Sequence, residues 1–135
     1  LSILTSRMLD TESLTSPSDT KNFLTVQMAE KQSEAFFILY LTSQHQVIAF
    51  EEEFKGTIDG AAVYHREIIK AVLAHNAAAV ILAHNHPSGI AEPSTADKRI
   101  TERLVAALAL IEVRVLDHII IGGTNQFSFA EDGLL

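Results

Sequence analysis

The chain has 135 residues, 47% of them hydrophobic, which is the size of one ordinary domain with one substantial core. No apolar run is long enough to cross a bilayer, no signal peptide with a basic start and apolar core opens the chain, and the lack of cysteine excludes disulfides and thiolate metal ligands. Seventeen acids against ten Lys and Arg leave a net charge of -7, which disfavours direct binding to nucleic-acid phosphates.

In chain order, residues 1–16 are polar and irregular, and a flexible N-terminal arm is expected there, ahead of one domain over 17–135. Ser16-Pro17-Ser18-Asp19 has the residues of a helix start, and Phe23, Leu24 and Met28 give that helix a modest apolar face. Ala35 to Leu41 and Gln46 to Phe54 read as an antiparallel hairpin around Thr42-Ser43-Gln44-His45. Val63 to His75 is predicted helical, with Val63, Ile68, Ile69 and Val72 facing inward. Ala77 to Ala83 is an apolar run of strand length, and Pro87, Gly89 and Pro93 then force a loop. From Ser94 onward Ile100, Leu104, Val105, Leu108 and Ile111 recur at helical spacing. Val113 to Ile121, the Gly122-Gly123-Thr124-Asn125 turn and a short strand from Gln126 to Phe129 close the chain, with no repeats. Two strands, helix, strand, helix and two strands predict an α/β class: a mixed sheet flanked by helices.

Chemistry concentrates in His84-Asn85-His86-Pro87-Ser88-Gly89 and Pro93-Ser94-Thr95-Ala96-Asp97. A catalytic zinc takes three ligands from imidazole and carboxylate and leaves a fourth position for water. His84 and His86, one residue apart where a strand emerges, fall on one side of an extended backbone. Asp97 falls in the first turn of the following helix, so a strand end and a helix start can hold one ion between them. Taken alone, Ser94 and Asp97 read first as a capping pair and no more; the combination with the two histidines is what points to a metal.

The spacing His-x-His, seven residues, Ser, two residues, Asp resembles the JAMM signature of JAB/MPN-type zinc metalloproteases, and the wording His-Asn-His-Pro-Ser-Gly resembles their bacterial RadC branch. The likeness extends to Phe50-Glu51-Glu52-Glu53-Phe54-Lys55-Gly56-Thr57, Arg66-Glu67-Ile68-Ile69, Asn76 to Val80 and Val115-Leu116-Asp117-His118, and so covers most of the chain from Phe36. His65 stands where the family usually has proline, and nothing here resembles the helix-hairpin-helix module that often precedes the domain. The resemblance implies an MPN/JAB fold with a cytidine-deaminase-like three-layer architecture. It also implies Zn2+ held by His84, His86 and Asp97, with the metal at one edge of the sheet, and hydrolysis of a peptide or isopeptide bond by metal-activated water.

In the family a glutamate upstream of the histidines moves the proton, and its serine donates to the oxyanion. The resemblance places these roles on Glu51, with Glu53 on the same strand face as the alternative, and on Ser94. Glu52 reads as a solvated position of a strand edge, and Lys98, Arg99 and Arg103 as a solvated helix face. His45 reads as a turn residue, and His65 and His75 as residues at the two ends of a helix. His118, inside an apolar strand, reads either as a hydrogen-bonded structural histidine or as a support for a metal ligand. The partners expected are a protein or peptide substrate and a second copy of the chain, in the cytoplasm and away from membranes. The opposing possibility is a non-catalytic or regulatory RadC-like protein associated with DNA repair or mobile elements.

Overall fold

A computed structural model describes residues 17–28, 31–56 and 65–135. The arm expected over 1–16, the helix start expected at Ser16, Thr57, and Val63, expected to face inward, lie outside the described residues. In chain order the elements are α1 (Pro17–Met28), β1 (Ala35–Leu41), β2 (Val47–Lys55), α2 (His65–Ala74), β3 (Ala79–Asn85), α3 (Thr95–Ala109), β4 (Arg114–Gly122) and β5 (Asn125–Ser128). The strands form one sheet in the order β2-β1-β3-β4-β5. The β3–β4 pair is parallel and the other three are antiparallel. The predicted mixed sheet flanked by helices is therefore present, and it agrees with a JAB/MPN fold.

Strand β1, Ala-Phe-Phe-Ile-Leu-Tyr-Leu, is buried at every position because it has a strand on each side and a core on each face. Its alternate residues supply two cores. Phe37, Leu39 and Leu41 join Phe23, Leu24 and Met28 of α1, whereas Phe36, Ile38 and Tyr40 join Ile68 and Val72 of α2 and Ile100, Leu104 and Leu108 of α3. Full burial of a Leu or Ile side chain contributes about 1.5–3 kcal/mol, so both faces of the sheet are strongly anchored. The three layers are α1, the sheet, and α2 with α3.

Helix α3 follows its sequence: Ile100, Leu104 and Leu108 recur every four residues and are buried, while Val105 and Ile111 are half-buried at the rim. It ends with Glu112 in a left-handed conformation (φ 60) and the Val113 amide donating back to Leu108. Helix α2 stops similarly at Asn76 (φ 53), a residue type that tolerates this region better than most. The β3–α3–β4 unit supplies the only parallel pair among the described residues and places the start of α3 beside the C-terminal ends of β3 and β4.

Two expectations need correction. Regular pairing continues through His84 and Asn85 and does not stop at Ala83. The predicted site also lies at the end of the central strand β3, not at an edge of the sheet, because β1 covers one side of β3 and β4–β5 the other. Among the described residues, no helix is long and apolar enough to cross a membrane.

Candidate metal centre

Leu82 and Val80 face the α2–α3 core, so strand alternation sends His84 to that same side and Asn85 toward α1. The His84 ring is fully buried and stacks on Phe36, its partner across the β1–β3 ladder. His86, just beyond the strand, is tied to β4 by its amide, which donates to the Ile121 carbonyl at 2.8 Å. The two rings meet with Nε2 to Nε2 at 2.9 Å.

Asp97 reaches the same place from α3. Ser94 is the N-cap: its hydroxyl accepts from the Asp97 amide at 3.0 Å, and its own amide donates to Asp97 Oδ2 at 2.8 Å. That reciprocal pair orients the carboxylate, which is 2% exposed, so that Oδ1 lies 3.2 Å from His84 Nε2 and Oδ2 lies 3.3 Å from His86 Nε2. The capping and ligand readings of Asp97 are thus one geometry.

Hydrogen bonds away from this centre determine which nitrogen of each ring carries the proton. The single hydroxyl proton of Thr101 goes to the Asp97 carbonyl at 2.7 Å, so the Thr101 oxygen must accept from Nδ1–H of His118. Complete burial pushes His118 well below the ordinary imidazole range, leaving its Nε2 as an acceptor for His84 Nδ1–H at 2.8 Å. His86 Nδ1–H donates to the Ile90 carbonyl at 2.9 Å. Both Nε2 lone pairs consequently face the Asp97 carboxylate.

Two lone pairs 2.9 Å apart repel unless a cation lies between them. In the metal-free protein a proton serves: the Asp97 hydrogen bond raises His86 above the ordinary imidazole value, against the opposing pull of burial. Burial alone would raise Asp97, but the adjoining His84 and His86 imidazoles outweigh it and hold the carboxyl well below the usual carboxylate range. A metal is the alternative cation. Tetrahedral zinc with bonds of roughly 2.0–2.1 Å separates its ligand atoms by about 3.3 Å, close to the 2.9, 3.2 and 3.3 Å found here. The donor set could hold a metal ion.

A second carboxylate completes the cluster. One oxygen of Glu34 and a nitrogen from each of His84 and His86 all lie within 4.8 Å of one another. Glu34 immediately precedes β1 and shares the face of Phe36; since Phe36 pairs with His84, continuing the antiparallel register two residues brings Glu34 opposite His86. Sequence reasoning missed this residue. Alternation of Glu34 with Phe36, Ile38 and Tyr40 was the available signal, but it identifies a site only when β1 is known to lie beside β3.

Glu51, by contrast, does not reach the imidazoles. It pairs with Ile38, which pairs with Leu82, so it lies two strand spacings, about 10 Å, from β3 and short of the level of His84. Its carboxylate is joined instead to His75 Nε2 at 2.9 Å. Glu53, raised above the ordinary carboxylate value mainly by burial, has Tyr40, Glu51 and His75 as its neighbours. The glutamate at the centre is therefore Glu34, and the position assigned to Glu51 from the RadC-like register is corrected.

The remaining histidines separate cleanly. His45 occupies the hairpin turn with φ 63, His65 begins α2, and His75 packs against Tyr40 with ring centroids 4.3 Å apart, less solvated than a helix end suggests. His118 is both structural and in contact with a candidate ligand. Its neighbour Asp117 is fully engaged, accepting from the His118 and Ala130 amides and from the Ser128 hydroxyl, so it anchors the C-terminal turn.

The loop between His86 and Ser94 is held from below by Gly122. A Cβ on Gly122 would lie 2.7 Å from Ile90 C, 2.8 Å from Ala91 N and 2.9 Å from Gly89 C. Hydrogen is the only substituent that fits, and the resulting close approach sets the carbonyl that orients His86.

Comparison with known proteins bears on this geometry. Residues 14–134 match the family described as the RadC-like JAB domain. A UPF0758 protein of Nitrosococcus oceani is 59% identical over 122 residues, covering 90% of this chain and 54% of the relative. A UPF0758 protein of Vibrio parahaemolyticus is 57% identical over the same length and shares, and one of Methylibium petroleiphilum is 54% identical over 132 residues, 98% of this chain and 60% of the relative. The chain thus spans little more than half the length of the curated relatives it matches. The match over nearly the whole chain, together with the fold, establishes that the chain belongs to the RadC-like JAB domain family.

Proposed function

We propose that this domain is a zinc-dependent metallohydrolase of the JAMM type that cleaves a peptide or isopeptide bond. In this reading His84, His86 and Asp97 are the ligands, Glu34 carries the proton and Ser94 donates a hydrogen bond to the developing oxyanion. One observation carries it: two imidazole nitrogens with fixed lone pairs and a buried carboxylate converge at 2.9–3.3 Å, with a further carboxylate within 4.8 Å of the nitrogens.

Two imidazoles and a carboxylate form a donor set typical of catalytic zinc, which supplies Lewis acidity that lowers the pKa of water toward neutrality and polarises a carbonyl. The protein residues do the rest. Glu34, tethered beside both imidazoles, takes the proton released by the attacking water and hands it to the departing amine. Ser94 accepts from the Asp97 amide and so keeps its own hydroxyl proton for donation; loss of one such donor typically costs about 100- to 1000-fold in rate. His118 and Thr101 hold His84 in its ligating tautomer, and Ile90 does the same for His86.

Metal analysis of the purified chain tests the reading, with His84→Ala and Asp97→Ala as controls and a peptide-library assay for hydrolysis. Stoichiometric zinc is expected in the parent and a large loss in both controls. Glu34→Gln should keep zinc and lose hydrolysis. No more than trace zinc in the parent under non-chelating conditions overturns the proposal.

A further inference from the structure

We propose that Asn85, the residue between the two imidazoles, is the positioning residue for Glu34. The proposal rests on the reading of Glu34 as the proton carrier. Asn85 is 3% exposed and alternation turns it away from the metal-binding face. Its amide grips the backbone on both sides of Glu34: Oδ1 accepts from the Ala35 amide at 2.9 Å and Nδ2 donates to the Ser33 carbonyl at 3.0 Å.

The topology explains why a side chain is needed there. Pairing between β1 and β3 ends at Phe36 and His84, because beyond Asn85 the chain leaves β1 and His86 bonds to Ile121 on β4. Ser33 and Ala35 therefore have no backbone partner on the β3 side, and the Asn85 amide supplies the missing rung. On the opposite side the Glu34 carbonyl accepts from the Gly56 amide at 2.8 Å, so the segment is clamped between β2 and β3. The task requires a donor and an acceptor at once, spaced as in a peptide group. A primary amide offers both, a carboxylate lacks the donor, and serine is too short to span the two groups. One strand end thereby presents two ligands on one face and secures the third participant from the other.

The test compares the parent with Asn85→Ala, Asn85→Asp, Glu34→Gln and the double variant Asn85→Ala/Glu34→Gln. Zinc affinity is measured by chelator competition, coordination by the visible spectrum of the cobalt(II)-loaded chain, and backbone anchoring by amide exchange. In Asn85→Ala the Ala35 amide should exchange about 10-fold faster, with the amides of Ile38 to Tyr40 unchanged. Its cobalt spectrum should move in the direction seen for Glu34→Gln, and Asn85→Ala should add nothing once Glu34 is already glutamine. Zinc affinity should fall far less than in His84→Ala. Should Asn85→Ala fail to fold, Asn85→Asp, which keeps the size and the acceptor but removes the donor to Ser33, decides by the same spectral comparison. A normal Glu34→Gln response with an unmoved Asn85 spectrum overturns the positioning role alone. So does an Asn85 effect that persists undiminished in the Glu34→Gln background, or a zinc loss equal to that of His84→Ala. A parent that holds no zinc, or a Glu34→Gln spectrum identical to the parent's, overturns the Glu34 reading and this proposal with it.

Discussion

Replacing Gly122 with alanine adds one methyl group at a point remote from any ligand atom, yet it should weaken the metal centre. The added carbon would sit 2.7 Å from Ile90 C and under 3.0 Å from two further backbone atoms, none of which can rotate out of the way. Relieving the closest contact to an ordinary separation requires the loop to withdraw by about 0.7 Å, and overpacking of this kind costs about 1–3 kcal/mol. The Ile90 carbonyl moves with the loop, and its 2.9 Å bond to His86 Nδ1 lengthens beyond useful range. His86 is then free to present the wrong nitrogen, and loss of such an orienting partner costs about 10-fold or more in metal affinity. Thermal melting with and without zinc, combined with chelator competition, measures both effects. The expected result is a melting temperature lowered by about 4 °C or more and weakened zinc binding. Gly123→Asn is the control: Gly123 has φ +60, which asparagine tolerates, and its Cβ would meet only Gly89 Cα at 3.8 Å, so zinc affinity should be kept. Parent-like zinc affinity in Gly122→Ala would refute the argument that this glycine sets His86 through the loop, even if stability fell.

Thr101→Val is nearly isosteric but removes the acceptor for His118 Nδ1–H in a fully buried place; it should cost about 1–3 kcal/mol of stability and about 10-fold in zinc affinity, with Thr101→Ser restoring both. Glu51→Gln should leave zinc affinity and hydrolysis unchanged and disturb only the contact with His75, whereas Glu34→Gln should abolish turnover; equal losses in the two variants would refute the placement of the proton carrier. The pH dependence follows from the two shifted groups. His86 is raised, so its protonation stabilises the metal-free fold below about pH 6.5, and that contribution is lost as pH rises through the raised value. Asp97 is lowered, so its contribution is present above about pH 3.9 and is lost as pH falls toward the lowered value. Zinc affinity should rise as pH passes upward through the raised His86 value, because the ion needs neutral imidazole; the His86 contribution to metal-free stability is lost over that same step, while His118, lowered by burial, contributes in the opposite direction. Chelator competition across this range checks the rise, and zinc affinity that stays flat or falls with pH would contradict the assignment.

Much of this was legible in the sequence for an identifiable reason. The pair His84 and His86, the loop breakers and the Ser94–Asp97 cap are local signals, each readable within one element and its flank, and the structure brings those three candidate ligands together. The elements themselves were set by apolar periodicity, and β1 has the predicted boundaries. What failed was non-local. Glu51 follows from the RadC-like register of the Glu51-Glu52-Glu53 run, but a carboxylate serves the centre only if its strand adjoins β3, and strand order is not written in any single segment. The hairpin signal identified β2 as one neighbour of β1; nothing local identified β3 as the other. Glu34, Thr101 and Gly122 were hidden for the same reason, since each acts across a strand boundary or between a strand and a helix.

That non-local character also makes the centre a closed structure and not a set of independent ligands. Starting at the Asp97 carboxylate, contact passes to His84 Nε2, through that ring to Nδ1–H, to His118, to Thr101, and back to the carbonyl of Asp97 itself. The circuit joins the end of β3, the middle of β4 and the first two turns of α3, and every proton in it has one destination. A buried polar loop of this kind is favourable only when complete, because one missing partner leaves a desolvated donor or acceptor without compensation. The rigidity that fixes the His84 lone pair toward the candidate metal site therefore derives from the β3–α3–β4 unit as a whole: a one-residue slip of β4 against β3 would turn His118 to the opposite face and open the circuit.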